Sequence, residues 1–269
     1  MSTVKNLAKE KMLGDELVVC MGLRQSRTVD IAPITAACGF DAFYIDMEHS
    51  PISMETVSAL CTAALGFGIT PLVRVPELRA DYISRALDGG AMGIIVPHVD
   101  TAQQARAVVA AGKYPPVGHR SVMGSGPMLA YRSTPLAEVN RIGNQETLLI
   151  VMLETPAAIA NAREIAAVDG VDMLLIGTND LCTEMGIPGQ LQHPDIRAAY
   201  QTVAQACRDG GKILGIGGIR GDLSLQTELI RLGARFLIAG SDVTYLMEAA
   251  KADSRKFDAL KADLKEHKS

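Results

Sequence analysis

Glu154 and Asp180 have the clearest capacity for chemistry in this sequence. Glu154 closes the apolar run of VMLET, and Asp180 lies in IGTNDL. Carboxylates at the ends of neighbouring strands, which lie about 4.8 Å apart, can share one hard divalent cation. Mg²⁺ needs few protein oxygens and keeps several waters, and Mn²⁺ or Co²⁺ also accepts oxygen ligands. Arg74 stands in the otherwise apolar PLVRVP. Leu72 and Arg74 share a strand face, and if that face is inward the guanidinium can bind a carboxylate or steady an oxyanion. His49 follows another apolar run, with Asp46 three residues before it. An aspartate that orients a histidine fixes its tautomer and leaves the other nitrogen as a base.

Each of these residues also has a plainer reading. Glu154 can be a buried acid paired with an arginine, and Asp180 a helix N-cap. Arg74 can form an internal ion pair with Glu48 or Glu154, and His49 can be a solvated loop residue. For the other histidines the plain reading is preferred. His98 ends a strand beside the expected pocket, His119 and His193 lie in loops, and His267 is in the tail.

The elements that must position these groups alternate eight times. Apolar runs occur at Val18–Leu23, Ala42–Asp46, Pro71–Val75, Gly93–Pro97, Leu148–Glu154, Met173–Thr178, Ile213–Gly218 and Arg235–Ser241. Most are apolar on both faces, as parallel strands covered by helices must be. Between them apolar residues recur three or four apart, as in Ala102, Ala105, Val108 and Val109. Eight strand–helix units predict a closed (β/α)₈ barrel, an α/β TIM barrel, over residues 1–269 as one domain. The rival is an open doubly wound sheet, but no G-x-G-x-x-G follows the first strand and no G-x-x-x-x-G-K-[ST] occurs. In such barrels catalytic groups sit at the C-terminal ends of strands, where Asp46, Arg74, Glu154 and Asp180 are expected. Two segments depart from the repeat: the Pro- and Gly-rich stretch 113–146, and 243–267, which reads as one long closing helix with Leu246, Ala250, Phe257, Leu260 and Leu264 on one side.

Bulk properties exclude several classes. A chain of 269 residues is long enough to fold around its own core. A net charge of −4 with no basic stripe argues against nucleic acid. The five cysteines contain no C-x-x-C pair and read as reduced thiols. With no long apolar span and a polar N-terminus, the expectation is a soluble cytoplasmic protein. No lysine lies within a predicted strand or at its C-terminal end, so a Schiff-base aldolase is disfavoured and a metal must serve as electron sink.

In these residues the chain resembles the HpcH/HpaI family of metal-dependent pyruvate aldolases. The resemblance runs from about Val18 to Ala250 and is carried by FDAFYIDMEHSP, PLVRVP, RALDGGAMGIIVPHV, YPPVGHRS, VMLETPAAIANAREIAAVDGVDMLLIGTNDL and a following QHP. It implies a hexamer built from dimers that exchange the last helix. It implies metal on Glu154 and Asp180, His49 assisted by Asp46 as acid/base, Arg74 on substrate oxygens, and the backbone amides of Gly177, Thr178 and Asn179 around the pyruvate carboxylate. Asp88 and the segment around Arg120 match positions that approach a neighbouring subunit's site. Both are expected on the bottom side of their own barrel. The sequence departs from the family pattern at Met152, where Gln is usual, at Thr178, where Pro is usual, and at Ser121, where Gly is usual.

The implied reaction joins pyruvate, or a similar 2-oxo acid, to an aldehyde, or reverses that step. Two alternatives stand beside it. The small residues of GIGGI and Ala239-Gly240-Ser241 would suit an acyl-CoA or phosphoenolpyruvate-type lyase, and Met152 and Thr178 would suit a degenerate barrel that only binds a 2-oxo acid.

Overall fold

The computed structural model describes residues 5–266. Eight parallel strands, β1 (Val18–Leu23), β2 (Ala42–Asp46), β3 (Thr70–Arg74), β4 (Gly93–Val96), β5 (Leu148–Leu153), β6 (Met173–Gly177), β7 (Ile213–Gly217) and β8 (Ala234–Ser241), follow one another around a closed barrel. β8 pairs with β1 to complete it. The open-sheet alternative is thereby excluded. The expected strands coincide with these to within one residue at either end.

Strand alternation sorts the side chains into two cores. Phe43, Ile45, Val73, Leu149, Val151, Leu174 and Ile176 face outward and pack with the helices. Their neighbours Ala42, Tyr44, Leu72, Leu148, Ile150, Met152, Met173 and Leu175 face inward and fill the barrel. The same period of two carries inward facing up each strand, from Tyr44 to Asp46, from Leu72 to Arg74 and from Met152 to Glu154. Register then decides who meets whom. Asp46 is directly paired with Arg74 across β2 and β3. The last β5–β6 pair is Leu153 with Ile176, so Glu154 and Gly177 lie level one step higher.

The bottom of the barrel is plugged by the helix Leu7–Leu13, which buries Ala8 and Met12. Asn6 caps that helix, and its side-chain amide also donates to the carbonyls of Met92 and Glu146.

The Pro- and Gly-rich stretch 113–146 contains a 3₁₀ turn at Pro127–Leu129 and a full helix at Leu136–Glu146. One segment differs from the sequence reading. The closing segment is two helices, Asp242–Lys256 and Asp258–Glu266, interrupted at Phe257. Its Leu246, Phe257, Leu260 and Leu264 are all exposed. With no core on that face, packing does not hold the two helices as one rod. The expected tail residue His267 lies outside the described residues.

Asn6 closes both ends of its small network, so Asn6→Ala should lower unfolding free energy by about 1–2 kcal/mol. Urea denaturation would measure this, and an unchanged midpoint would show that the plug does not depend on the cap.

Candidate active site at the barrel mouth

Arg74 organises the floor of the mouth. Its Nε and Nη2 form a fork on Asp46, at 3.0 and 2.7 Å, and Nη1 lies 2.8 Å from Glu48 Oε2. The guanidinium is buried, stands 5.7 Å from the Tyr44 ring centroid and touches the Met152 sulfur at 3.9 Å. Burial alone would raise the Asp46 carboxyl. Arg74, the His49 amide and Arg24 more than offset this and hold it below the ordinary carboxylate range. The internal-pair reading of Arg74 is therefore correct for Glu48. It is not correct for Glu154, whose side chain meets no arginine among the described residues.

Asp46 does not orient the His49 ring. Its Oδ1 accepts the backbone N–H of His49 at 3.2 Å, and its other bonds come from Arg74 and Arg24. The His49 side chain is about half exposed and lines the cavity, with Nε2 3.9 Å from Glu48 Oε2. Asp46 fixes the loop that presents the imidazole, and acts on the ring only through it.

Glu154 is buried at the top of the inner face. Its Oε2 accepts the His98 backbone N–H at 2.9 Å and lies 3.2 Å from His98 Nδ1. The His98 ring continues to Glu48 Oε1, 3.2 Å from Nε2. His98 thus bridges two acids, from a left-handed backbone at φ 54° that non-glycine residues seldom adopt. Strain of this kind persists where surrounding contacts demand it. Here the turn aims the amide and the ring at one carboxylate oxygen. Burial pushes the Glu154 carboxyl up to about 7; His98 pulls it down, while the charges of Glu48 and Asp180 add to the rise.

Gly177 makes room for Glu154. A Cβ there would fall 2.7 Å from both Cγ and Oε1 of Glu154, closer than any side chain tolerates. The helix Thr178–Glu184 starts at once, with Gly177 as N-cap and Asp180 in the first turn. Asp180 is not the cap; it is exposed and lines the cavity. Thr178 contributes only its backbone to the mouth. Its hydroxyl is buried, donating to the Gly217 carbonyl at 2.6 Å and sharing a hydrogen bond with Tyr200 at 2.8 Å. Threonine at this position ties β6 to β7. Asn179 is exposed beside Gly218.

His49, Arg74, Met152, Gly177, Thr178, Asn179 and Asp180 line a cavity of about 340 Å³, whereas Glu154, Glu48 and His98 are not among its lining residues. The acids of the mouth nevertheless fit a divalent cation. Glu154 is a buried acid with two nearby negative charges and no basic side chain but a histidine, and Glu48 Oε2 is buried without an aligned donor. Asp180 offers a carboxylate from the solvent side. No group of three or more His, Cys, Asp or Glu side chains is in ligating geometry among the described residues, so a cation would take its other ligands from water or substrate.

The model of the HpcH/HpaI aldolase/citrate lyase family matches residues 23–249. The chain belongs to the HpcH/HpaI aldolase/citrate lyase family. The 4-hydroxy-4-methyl-2-oxoglutarate aldolase of Chaetomium globosum is 40% identical over 253 residues, 93% of this chain and 94% of its own length. The hydroxypyruvate/pyruvate aldolase of Sagittula stellata is 37% identical over 230 residues, 84% of this chain and 87% of its own. The crystal structure of an HpcH/HpaI aldolase from Desulfitobacterium hafniense DCB-2 superposes with a TM-score of 0.87 at 31% identity, covering 93% of this chain and 96% of that one.

Within this HpcH/HpaI member the remaining expected residues lie elsewhere. Arg120 is buried, pairs with Asp88 at 2.7 Å and stacks 4.7 Å from the Tyr114 ring centroid. Neither lines the mouth. Asp88 ends the helix that leads into the bottom of β4, as expected from the sequence. His193 caps the helix Pro194–Gly210 through Nδ1, and His119 lies in a surface groove. Two residues of the mouth were missed. Arg24 immediately follows β1 and donates from Nε to Asp46 at 2.8 Å, so a charged residue directly after an apolar run was its available signal. Arg220 stands just past β7. His98 was noticed in sequence, but its bridge depends on a backbone conformation that sequence does not display.

The carboxyl raised to about 7 has a consequence for stability. Without a cation, Glu154 favours the folded state while protonated, and that contribution is lost as pH rises from the unfolded-state value of about 4.5 through about 7. Differential scanning fluorimetry in chelator should therefore show Tm falling across pH 5–8 more steeply for the natural protein than for Glu154→Gln. Added Mn²⁺ should raise Tm more at pH 8 than at pH 5.5. Parallel curves for the two proteins would contradict the assignment.

Proposed function

We propose that this protein is a metal-dependent carbon–carbon lyase that makes or cleaves 4-hydroxy-2-oxo acids, exchanging them with pyruvate, or a similar 2-oxo acid, and a carbonyl partner. The observation that carries the reading is Glu154: a buried carboxyl, without an arginine, held open by Gly177 beside Asp180 at the mouth of a barrel. The two relatives named above support the substrate class, since one is a 4-hydroxy-4-methyl-2-oxoglutarate aldolase and the other a hydroxypyruvate/pyruvate aldolase.

Glu154 and Asp180 would hold Mg²⁺, Mn²⁺ or Co²⁺, which when bound withdraws electron density from the 2-oxo group. The protein's own groups do the rest. Gly177, Thr178 and Asn179 line the cavity, and their backbone amides would receive the substrate carboxylate. Arg74, fixed by Asp46 and Glu48, faces the oxygen on which negative charge grows. His49 takes the proton of the 4-hydroxyl; the C3–C4 bond breaks, C4 becomes a carbonyl and the electron pair stays with the pyruvate fragment. Return of the proton to C3 makes the methyl group, and addition runs the same steps backwards. The exposed apolar residues of the two closing helices support association with a second copy, with the hexamer and the helix exchange as its fuller form. Asp88 and Arg120 would then serve a neighbouring mouth. The thiols are all unpaired in this structure, in keeping with a cytoplasmic setting.

Solvent deuterium should enter the pyruvate methyl group only in the presence of cation, and Glu154→Gln should abolish it. Arg74→Lys, which keeps the charge but loses the fork, should lower kcat/KM by roughly 100-fold. Exchange that persists in excess chelator would refute the scheme; proton NMR of the methyl signal reads it directly.

A further inference from the structure

Asp46 does not serve Arg74 alone. Its Oδ2 accepts from Arg74 Nη2 at 2.7 Å and from Arg24 Nε at 2.8 Å, while Oδ1 accepts from Arg74 Nε and the His49 amide. Arg74 also meets Glu48 at 2.8 Å. One guanidinium between two carboxylates has its charge fully absorbed. Arg24 supplies a second positive charge, so that two acids stand against two arginines and Arg74 keeps charge to offer an oxyanion.

Asp46 is fully buried, but the Arg24 side chain is 40% exposed. A solvated arginine has much freedom to lose, and an ion pair at the surface holds it only weakly. The protein fixes this one through its backbone instead. Arg24 immediately follows β1, and the N–H groups of Arg24, Gln25 and Ser26 all donate to the Asp242 carboxylate, at 3.0, 2.9 and 2.7 Å. Oδ1 takes the first and Oδ2 the other two.

Asp242 opens the helix Asp242–Lys256 without capping it. Ser241 is the N-cap and forms a capping box with Thr244, which leaves the Asp242 carboxylate for a segment 216–218 residues earlier in the chain. Barrel closure brings the two together, since Gly22 of β1 pairs with Ser241 of β8. Burial would raise the Asp242 carboxyl; the amides of Arg24, Ser26 and Gln25 more than offset this and hold it below the ordinary carboxylate range.

We infer that Asp242 and Arg24 are positioning residues of the reaction: Asp242 fixes the turn after β1, the turn sets Arg24 on Asp46, and Asp46 so held keeps Arg74 aimed at the substrate oxygen. This rests on the lyase reading above and adds two residues that act through Asp46. Asparagine at 242 separates the role from simple packing. It keeps the size and one acceptor oxygen, but its amide nitrogen would face N–H donors, so it cannot hold both Arg24 and the Gln25–Ser26 pair.

The test is a double-mutant cycle on the manganese-loaded protein, read as solvent deuterium entering the pyruvate methyl group by proton NMR. Asp242→Asn and Arg24→Gln should each lower kcat for exchange by roughly 10-fold, the scale of one hydrogen bond to a charged group, with KM for pyruvate moved less than about threefold. The double variant should be within about twofold of Arg24→Gln, because Asp242 acts through Arg24. Hydrogen–deuterium exchange read by mass spectrometry should show the amides of residues 24–26 losing protection in Asp242→Asn and keeping it in Arg24→Gln. Asn6→Ala, destabilised at the opposite end of the barrel, should exchange pyruvate at the natural rate. Losses that multiply in the double variant, a natural rate in Asp242→Asn, or an equal loss of rate in Asn6→Ala would each overturn the inference while leaving the lyase reading intact. A natural protein that exchanges no deuterium with manganese bound overturns the lyase reading, and this inference with it.

Discussion

Surplus negative charge at the mouth of the barrel is the constraint on which the rest of this site depends. Asp46, Glu48, Glu154 and Asp180 converge there, and Arg74 neutralises only the first two. Burial pushes the Glu154 carboxyl up to about 7; the backbone N–H and ring of His98 pull it down, and the charges of Glu48 and Asp180 add to the rise. An unpaired buried carboxylate costs several kcal/mol, which selection for stability alone would remove by a Gln. Its presence beside Gly177, where a Cβ would collide with it, supports the proposed cation site.

The barrel turns that constraint into geometry through two elementary rules. Alternation sends every second residue inward, so Tyr44 and Asp46, Leu72 and Arg74, and Met152 and Glu154 stack as apolar floor beneath polar rim. Parallel register then sets Asp46 against Arg74 and Glu154 against Gly177. The departures from the family pattern follow the same logic. Met152 provides a soft contact under Arg74, and the Thr178 hydroxyl joins two strands where the resemblance led one to expect a proline.

Much of this was legible in the sequence because it is periodic. The strands were readable from apolar runs, and their polar ends from the rule that barrels work at one face. What escaped was set by local backbone and by side-chain competition. Nothing in VPHVD announces a left-handed histidine, so the bridge from Glu48 to Glu154 was not visible. The spacing of Asp46 and His49 suggested a dyad, but two arginines reach the carboxylate first and leave the histidine only its backbone bond. The closing segment kept helical periodicity through Phe257, yet a surface helix with no buried face has little to keep it continuous.

The central claim is that Glu154 and Asp180 grip one cation together. A crystal grown with Mn²⁺ and measured at the manganese absorption edge tests it most directly. A single anomalous peak within coordinating distance, about 2.0–2.3 Å, of a carboxylate oxygen from each residue is the predicted result. A mouth without such a peak, or manganese bound to only one of the two carboxylates, would contradict it.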